Sequence, residues 1–172
     1  MSENPDRPLD REARRHLVGE RRRGYRIDGE GRWWYREVPL DPEIARQFAQ
    51  ALVRLPDGRL RVLCEGEPCD VTCDRVPFIV RDLGIERDAR GAVVRITLLL
   101  SGGLEEPLDP ATLYLSEGDL LHCRVRGGAF EARFGNSAAM QFADTLHAVP
   151  GGSGIDLGGH RYRIPHRPDV LG

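Results

Sequence analysis

Ala45-Arg46-Gln47-Phe48-Ala49-Gln50-Ala51-Leu52 runs on to Pro56-Asp57-Gly58, and the same pattern returns as Ala139-Met140-Gln141-Phe142-Ala143-Asp144-Thr145-Leu146, running on to Pro150-Gly151-Gly152. Both stretches read A-x-Q-F-A-x-x-L-x-x-x-P-x-G. An alternating stretch follows each: Arg59-Leu60-Arg61-Val62 after the first and Arg161-Tyr162-Arg163-Ile164 after the second. A helix, a Pro/Gly break and a strand therefore occur twice in one order. Recurrence of this kind marks a fold built from related units. The loop after Pro150 is the longer, so the second unit carries a Gly-rich insertion.

Working outward, Tyr25-Arg26-Ile27 and Arg32-Trp33-Trp34-Tyr35 flank Asp28-Gly29-Glu30-Gly31 and read as a hairpin. Alternation puts Trp33 and Tyr35 on one face and Trp34 on the other. Asp41 is placed to cap a helix with Pro42 at its first position. Ile44, Phe48, Leu52 and Leu55 share a face of that helix, which Pro56-Asp57-Gly58 ends. Strands follow at Leu60 to Cys64 and Cys69 to Cys73, around the turn Glu65-Gly66-Glu67-Pro68. Phe78 to Ile85 and Ala92 to Leu100 read as two more, and Thr112 to Leu115 with Asp119 to Val125 as another hairpin. The second helix is expected from Phe130 to Val149, with a kink at Gly135. Ile155 to Leu157 and Arg161 to Ile164 close the fold.

Strands outnumber helices and short turns join them, which favours antiparallel pairing with a helix on each sheet. The expected class is α+β, two repeated helix-on-antiparallel-sheet motifs forming one compact unit. Residues 1–23 carry five acidic residues and seven arginines and are expected to form a flexible charged tail. Residues 24–100 make the first unit and residues 101–172 the second.

Composition excludes several functions. The 25 basic residues are all Arg, and without Lys no Schiff base forms and no Walker-type phosphate loop is complete. The formal net charge of −2 gives no field to gather nucleic acid or anionic lipid. No segment is apolar for long enough to span a bilayer, and Met1 to His16 is too polar for a signal peptide. The expected location is the cytoplasm, with the four cysteines as reduced thiols.

Motifs with chemistry are sparse. Cys64, Cys69 and Cys73 have spacings C-x4-C-x3-C, without the tight C-x2-C knuckle of zinc ribbons, and Cys123 follows His122 far downstream. Buried small hydrophobes explain them best. Neither a metal nor a cofactor is expected. Gly127-Gly128 before the second helix offers backbone amides to an anion, with Arg126, Glu131, Arg133 and Asn136 around it. Close packing of strand on helix is the favoured explanation of those glycines.

Four segments resemble the uncharacterised bacterial domain-of-unknown-function family 1285. They are Gly31-Arg32-Trp33-Trp34 with Val38-Pro39-Leu40, Phe48 and Leu52 with Asp57-Gly58, Asp74-Arg75-Val76-Pro77-Phe78, and Val125-Arg126-Gly127-Gly128 through Glu131-Ala132. The cysteine-bearing hairpin and the insertion after Pro150 depart from the family pattern. The resemblance implies an α+β fold with repeated motifs, no established enzymatic activity and a suggested role in signal transduction.

The expected function is a cytoplasmic ligand- or partner-binding module, possessing no catalytic residues. Arg126, Glu131, Arg133, Asn136, Trp33 and Asp74 are its candidate ligand-binding residues. The partner would be a small molecule or a protein, not nucleic acid or membrane. The alternatives are a small hydrolase or transferase using Cys or His chemistry with Glu131, and a structural zinc module.

Overall fold

The structure is a computed structural model that describes residues 24–168. The expected charged tail, residues 1–23, lies outside the described residues.

Two six-stranded sheets and one three-stranded sheet make up the fold. The first contains β1 (Tyr25–Ile27), β2 (Trp33–Tyr35), β3 (Val38–Pro39), β4 (Val53–Arg54), β5 (Leu60–Cys64) and β6 (Glu67–Cys73), in the order β3-β2-β1-β6-β5-β4. Helix α1 (Pro42–Ala51) joins its two halves. The second contains β7 (Phe78–Arg87), β8 (Val93–Leu100), β9 (Glu105–Pro107), β10 (Tyr114–Leu115), β11 (Leu121–Val125) and β12 (Phe130–Phe134), in the order β10-β11-β12-β7-β8-β9. A 3-10 turn, Pro110–Thr112, joins those halves. Helix α2 (Asn136–Ala143) follows, and then a meander of β13 (Leu146–Val149), β14 (Gly152–Leu157) and β15 (His160–Ile164).

Read from opposite edges, the two large sheets have the same topology. Each is a three-stranded antiparallel meander, a crossover and a second meander. The first and last strands pair in parallel at the centre: β1 with β6, and β7 with β12. The class is α+β and the unit does repeat. The repeat resides in the sheets, which meet at residues 74–77, within the expected first unit. The two similar helices hold different places: α1 is the crossover of the first sheet, whereas α2 follows the second. Each still turns its Phe edge-on to an aromatic ring of its sheet, Phe48 to Trp33 at 5.7 Å and Phe142 to Phe134 at 5.3 Å.

Three boundaries differ from expectation for local reasons. The second helix was expected over Phe130 to Val149, but that range holds β12, α2 and β13. Phe130, Ala132 and Phe134 are buried and alternate with half-buried Glu131 and Arg133, which is a strand period. Gly135 then caps α2 in an extended conformation, where a Cβ would lie 3.2 Å from the Val80 carbonyl oxygen. Gly127-Gly128 consequently lies in the β11–β12 turn, away from any helix N-terminus. The first helix ends at Ala51, because residues 53–54 extend to pair with β5; Pro56-Asp57-Gly58 forms the turn of that hairpin. Ile44 therefore stays 43% exposed, and the buried face is Ala49 with the helix-ending Leu52. The expected Gly-rich insertion is a β-hairpin in which Gly154 is buried 2.8 Å, at its virtual Cβ, from the Tyr162 carbonyl oxygen.

One apolar cluster runs through all three sheets. The β1–β2 turn joins the first sheet to the second. Asp28 accepts from the backbone N–H groups of Glu30 and Arg32, from Arg32 Nε and from the Trp34 indole, all at 2.9–3.0 Å. Gly31, at φ +73°, lies so near Ser101 that a Cβ would come within 2.5 Å of its hydroxyl. Arg81 donates to the Glu30 carbonyl and Arg133 to that of Gly29. Among the described residues no helix is long and apolar enough to cross a membrane.

Burial pushes the Asp28 carboxyl up, but the hydrogen bonds from Arg32, Trp34 and Glu30 outweigh it and hold the group below its ordinary value. A depressed native pKa gives stability that is present above the unfolded value, near about 4, and is lost as pH falls through the native value. Asp28→Asn should cost about 1–2 kcal/mol near neutrality. Urea denaturation below pH about 4 should show a shallower loss of stability for the variant than for the wild type; equal slopes would show that this turn does not hold a charged Asp28.

Candidate functional site

The outer face of the β10–β11–β12 meander forms the floor of an open cleft of about 770 Å³. Register sets two rows across it. Tyr114 lies opposite His122, which lies opposite Arg133; Arg124 lies opposite Glu131. Strand alternation explains the selection: Cys123, Val125, Ala132 and Phe134 point the other way, into the core. The walls come from elsewhere. Asp74, Arg75 and Val76 belong to the connector between the large sheets, Arg54 to β4, and Ser116 and Leu120 to the β10–β11 turn.

The final wall is the C-terminal segment. Leu115 donates its N–H to the Pro165 carbonyl, and Arg167 donates its own to the Leu115 carbonyl, so residues 165–167 extend the edge of the second sheet. This pairing carries the Arg167 guanidinium over the Tyr114 ring, 5.1 Å from its centroid. On the floor, the Tyr114 and His122 rings stack at 5.0 Å and 13°. Burial, followed by the charge and hydrogen bond of Glu131, pushes the Tyr114 hydroxyl up to about 12, so it stays protonated.

Five guanidinium groups thus surround the cleft, from Arg54, Arg75, Arg124, Arg133 and Arg167. Among the described residues only Arg133 of the five approaches a carboxylate, Glu30 at 3.9 Å. Its contacts with the β1–β2 turn leave its side chain 14% exposed. Arg54 and Arg124 donate to the Ala129 and Gly128 carbonyls, and Arg54 also lies over the Phe130 ring. Asp74, 44% exposed, holds Arg26 at 2.8 Å.

Of the six residues singled out in the sequence, the fold brings Glu131, Arg133 and Asp74 together here. Trp33 is buried beneath α1, edge-on to Phe48. Asn136 is the exposed first residue of α2. Arg126 turns away from this cleft: its guanidinium donates to the Ala49 and Leu52 carbonyls at the end of α1, at 2.7 and 3.2 Å, and its backbone N–H to the Glu106 carboxylate. Arg124 escaped the sequence reading, and His122 entered it only as the neighbour of Cys123 in the Cys/His alternative. Their signal was an i, i+2 alternation on β11 facing Glu131-x-Arg133 on β12, which is visible only once β12 is a strand.

The cleft wall also brings Ser116 Oγ within 3.1 Å of His122 Nε2. Ser116 is 2% exposed; its N–H donates to the Leu120 carbonyl, so turn closure accounts for its position. Cys123 is fully buried, and burial, then the charges of Glu106 and Asp109, push its thiol up to about 12. That is the environment of an inert thiol. Among the described residues no three of His, Cys, Asp and Glu come together as a metal site would require.

Two measurements check these roles. Arg126→Met keeps the stem and deletes the carbonyl contacts, so chemical denaturation should show a loss of about 1.5–3 kcal/mol; an unchanged midpoint would mean that α1 does not depend on this guanidinium. Cys123 should resist a thiol-reactive disulfide reagent at pH 8 in the native protein and react only on unfolding. Fast native labelling of Cys123, located by peptide mapping, would contradict its burial.

No protein-family model and no curated protein matches the chain. Two solved structures do. A DUF1285 family protein from Silicibacter pomeroyi DSS-3 is 20% identical, with a TM-score of 0.67 over 82% of this chain and 79% of that one. A DUF1285 family protein from Shewanella baltica OS155 is 19% identical, with a TM-score of 0.57 over 70% of this chain and 91% of that one. The chain thus has a DUF1285-like fold.

Proposed function

We propose that this protein is a non-enzymatic binding module of the bacterial cytoplasm, acting in signal transduction, and that its ligand is a small molecule seated in the cleft over β10, β11 and β12. The observation that carries the reading is convergence. Polar side chains from one meander, the inter-sheet connector, β4 and the C-terminal segment meet around a single concavity. Its volume falls in the range of small-molecule sites. A ligand there would touch groups from both large sheets, and a bound molecule that bridges two packed layers favours one arrangement of them. Signalling needs that property, and turnover does not. The free thiols of Cys64, Cys69, Cys73 and Cys123 fit a reducing compartment.

Native mass spectrometry after incubation with a bacterial metabolite extract tests the reading. The wild type should retain a stoichiometric small-molecule adduct. Ala129→Trp replaces an exposed cleft residue with a ring that fills the concavity, and should abolish the adduct without lowering the melting temperature. An adduct that persists in this variant, or no adduct and no ligand-dependent rise in melting temperature for the wild type, rules the cleft out.

A further inference from the structure

The charges lining the cleft specify more than a binding site. Among the described residues its five guanidinium groups face two carboxylates, Asp74 and Glu131. Asp74 is held by Arg26. Glu131 stands beside the Tyr114 hydroxyl, whose proton its charge helps to hold. Arg59, Arg61 and Arg161, outside the cleft, each hold an Asp at 2.8–2.9 Å. Crowding cations without such partners raises the energy of the free protein, and an arriving anion relieves it.

The floor geometry sharpens the point. Arg124 pairs with Glu131, and Arg133 lies two residues further along the same strand. The two arginines are therefore diagonal neighbours on one face, roughly 7–8 Å apart at their bases, a span that two long side chains can close on one oxyanion. Guanidinium forks suit carboxylate and phosphate groups through paired N–H donors. Arg133 is already oriented by the Gly29 carbonyl, 3.2 Å from its terminal nitrogen. Arg54, Arg75 and Arg167 stand on the surrounding walls, so positive charge meets the ligand at more than one point.

Resting on the reading of this cleft as a ligand site, we infer that its ligand is a small organic oxyanion bearing two or more negative charges, a phosphate ester or a polycarboxylate. Arg124 and Arg133 grip one anionic group from the floor, and Arg75 and Arg167 hold a second near the rim. A nucleic-acid strand is a poorer fit, because the arginines line a concavity on a chain of net charge −2 rather than an extended basic stripe.

Isothermal titration calorimetry at constant ionic strength tests the inference, with fructose 1,6-bisphosphate and citrate as probes and sorbitol as the uncharged control. At about 0.15 M salt, exposed charges more than about 8 Å apart are screened, so surface attraction alone contributes little. At least one anion should bind saturably, and the stronger of the two separates phosphate ester from carboxylate. Arg124→Gln and Arg75→Gln, both at exposed positions, should each weaken binding about tenfold or more with unchanged melting temperatures. Arg133 is unsuited to this purpose, since it also holds the β1–β2 turn.

An affinity unaltered in both variants overturns the inference. So does the absence of binding by either probe, if the metabolite extract also yields no anionic adduct; an anionic adduct from the extract that Arg124→Gln loses supports it. A neutral or cationic adduct lost in Ala129→Trp refutes the oxyanion while leaving the binding reading intact. Failure of both experiments removes the two together.

Discussion

Parallel pairing of first strand with last, in each large sheet, is the constraint from which this architecture follows. A parallel neighbour cannot be reached by a hairpin, so the chain must cross over. In the first sheet helix α1 makes the crossing between β3 and β4; in the second the stretch around Pro110–Thr112 makes it between β9 and β10. Once β12 is paired with β7 at the centre, β11 and β10 must lie outward from it as a meander. Their outer face is the floor of the cleft. The position of the candidate site is thus a consequence of how the sheet is closed.

The same closure explains why the sheets hold together. The first sheet offers its β1–β2 turn, stiffened by Asp28, to a surface of the second that accepts no Cβ at Gly31. The second sheet answers with Arg126, which satisfies carbonyls at the end of α1 that the helix itself leaves open. Gly102 lies close to α1 as well; a Cβ there would approach the side chain of Ala49 to 2.7 Å. These contacts fix α1 between its own sheet and the loops of the other. Arg133 belongs both to this junction and to the cleft, so cleft and inter-sheet contact share a side chain.

Much of the fold was legible in the sequence because its signals were local. Asp41 and Pro42 start α1 as their chemistry requires, and Asp41 accepts from the Glu43 N–H. Turn residues located the hairpins at Asp28–Gly31, Glu65-Gly66 and Ser116–Gly118. The class and the repetition were legible too, though the helix pair that suggested repetition turned out to hold two different topological positions. Phe130 to Phe134 was misread because five residues sit too close to a true helix for periodicity to separate them. That single error hid half of the cleft. On a helix Glu131 and Arg133 point in different directions; on β12 they share a face with His122 and Arg124 across the register. Asp74 was singled out because it opens the segment Asp74-Arg75-Val76-Pro77-Phe78, which resembles the DUF1285 pattern. No local pattern says that Arg54 or Arg167 reaches the same place, since both arrive by tertiary pairing.

A chain without Lys and with a nearly balanced net charge makes its sites by distribution rather than by excess. Most of its ion pairs are exposed and salt-screened, worth about 0–1 kcal/mol each. Gathering five arginines around two carboxylates costs little on an open surface, but more in a concavity where less water reaches the charges. The fold accepts that cost above β11 and β12. Arg59 and Arg61, at the start of β5, bind Asp57 and Asp70; Arg161 binds Asp156 on the third sheet. The convergence of five guanidinium groups from five separate segments on one concavity is what gives the cleft its chemical character.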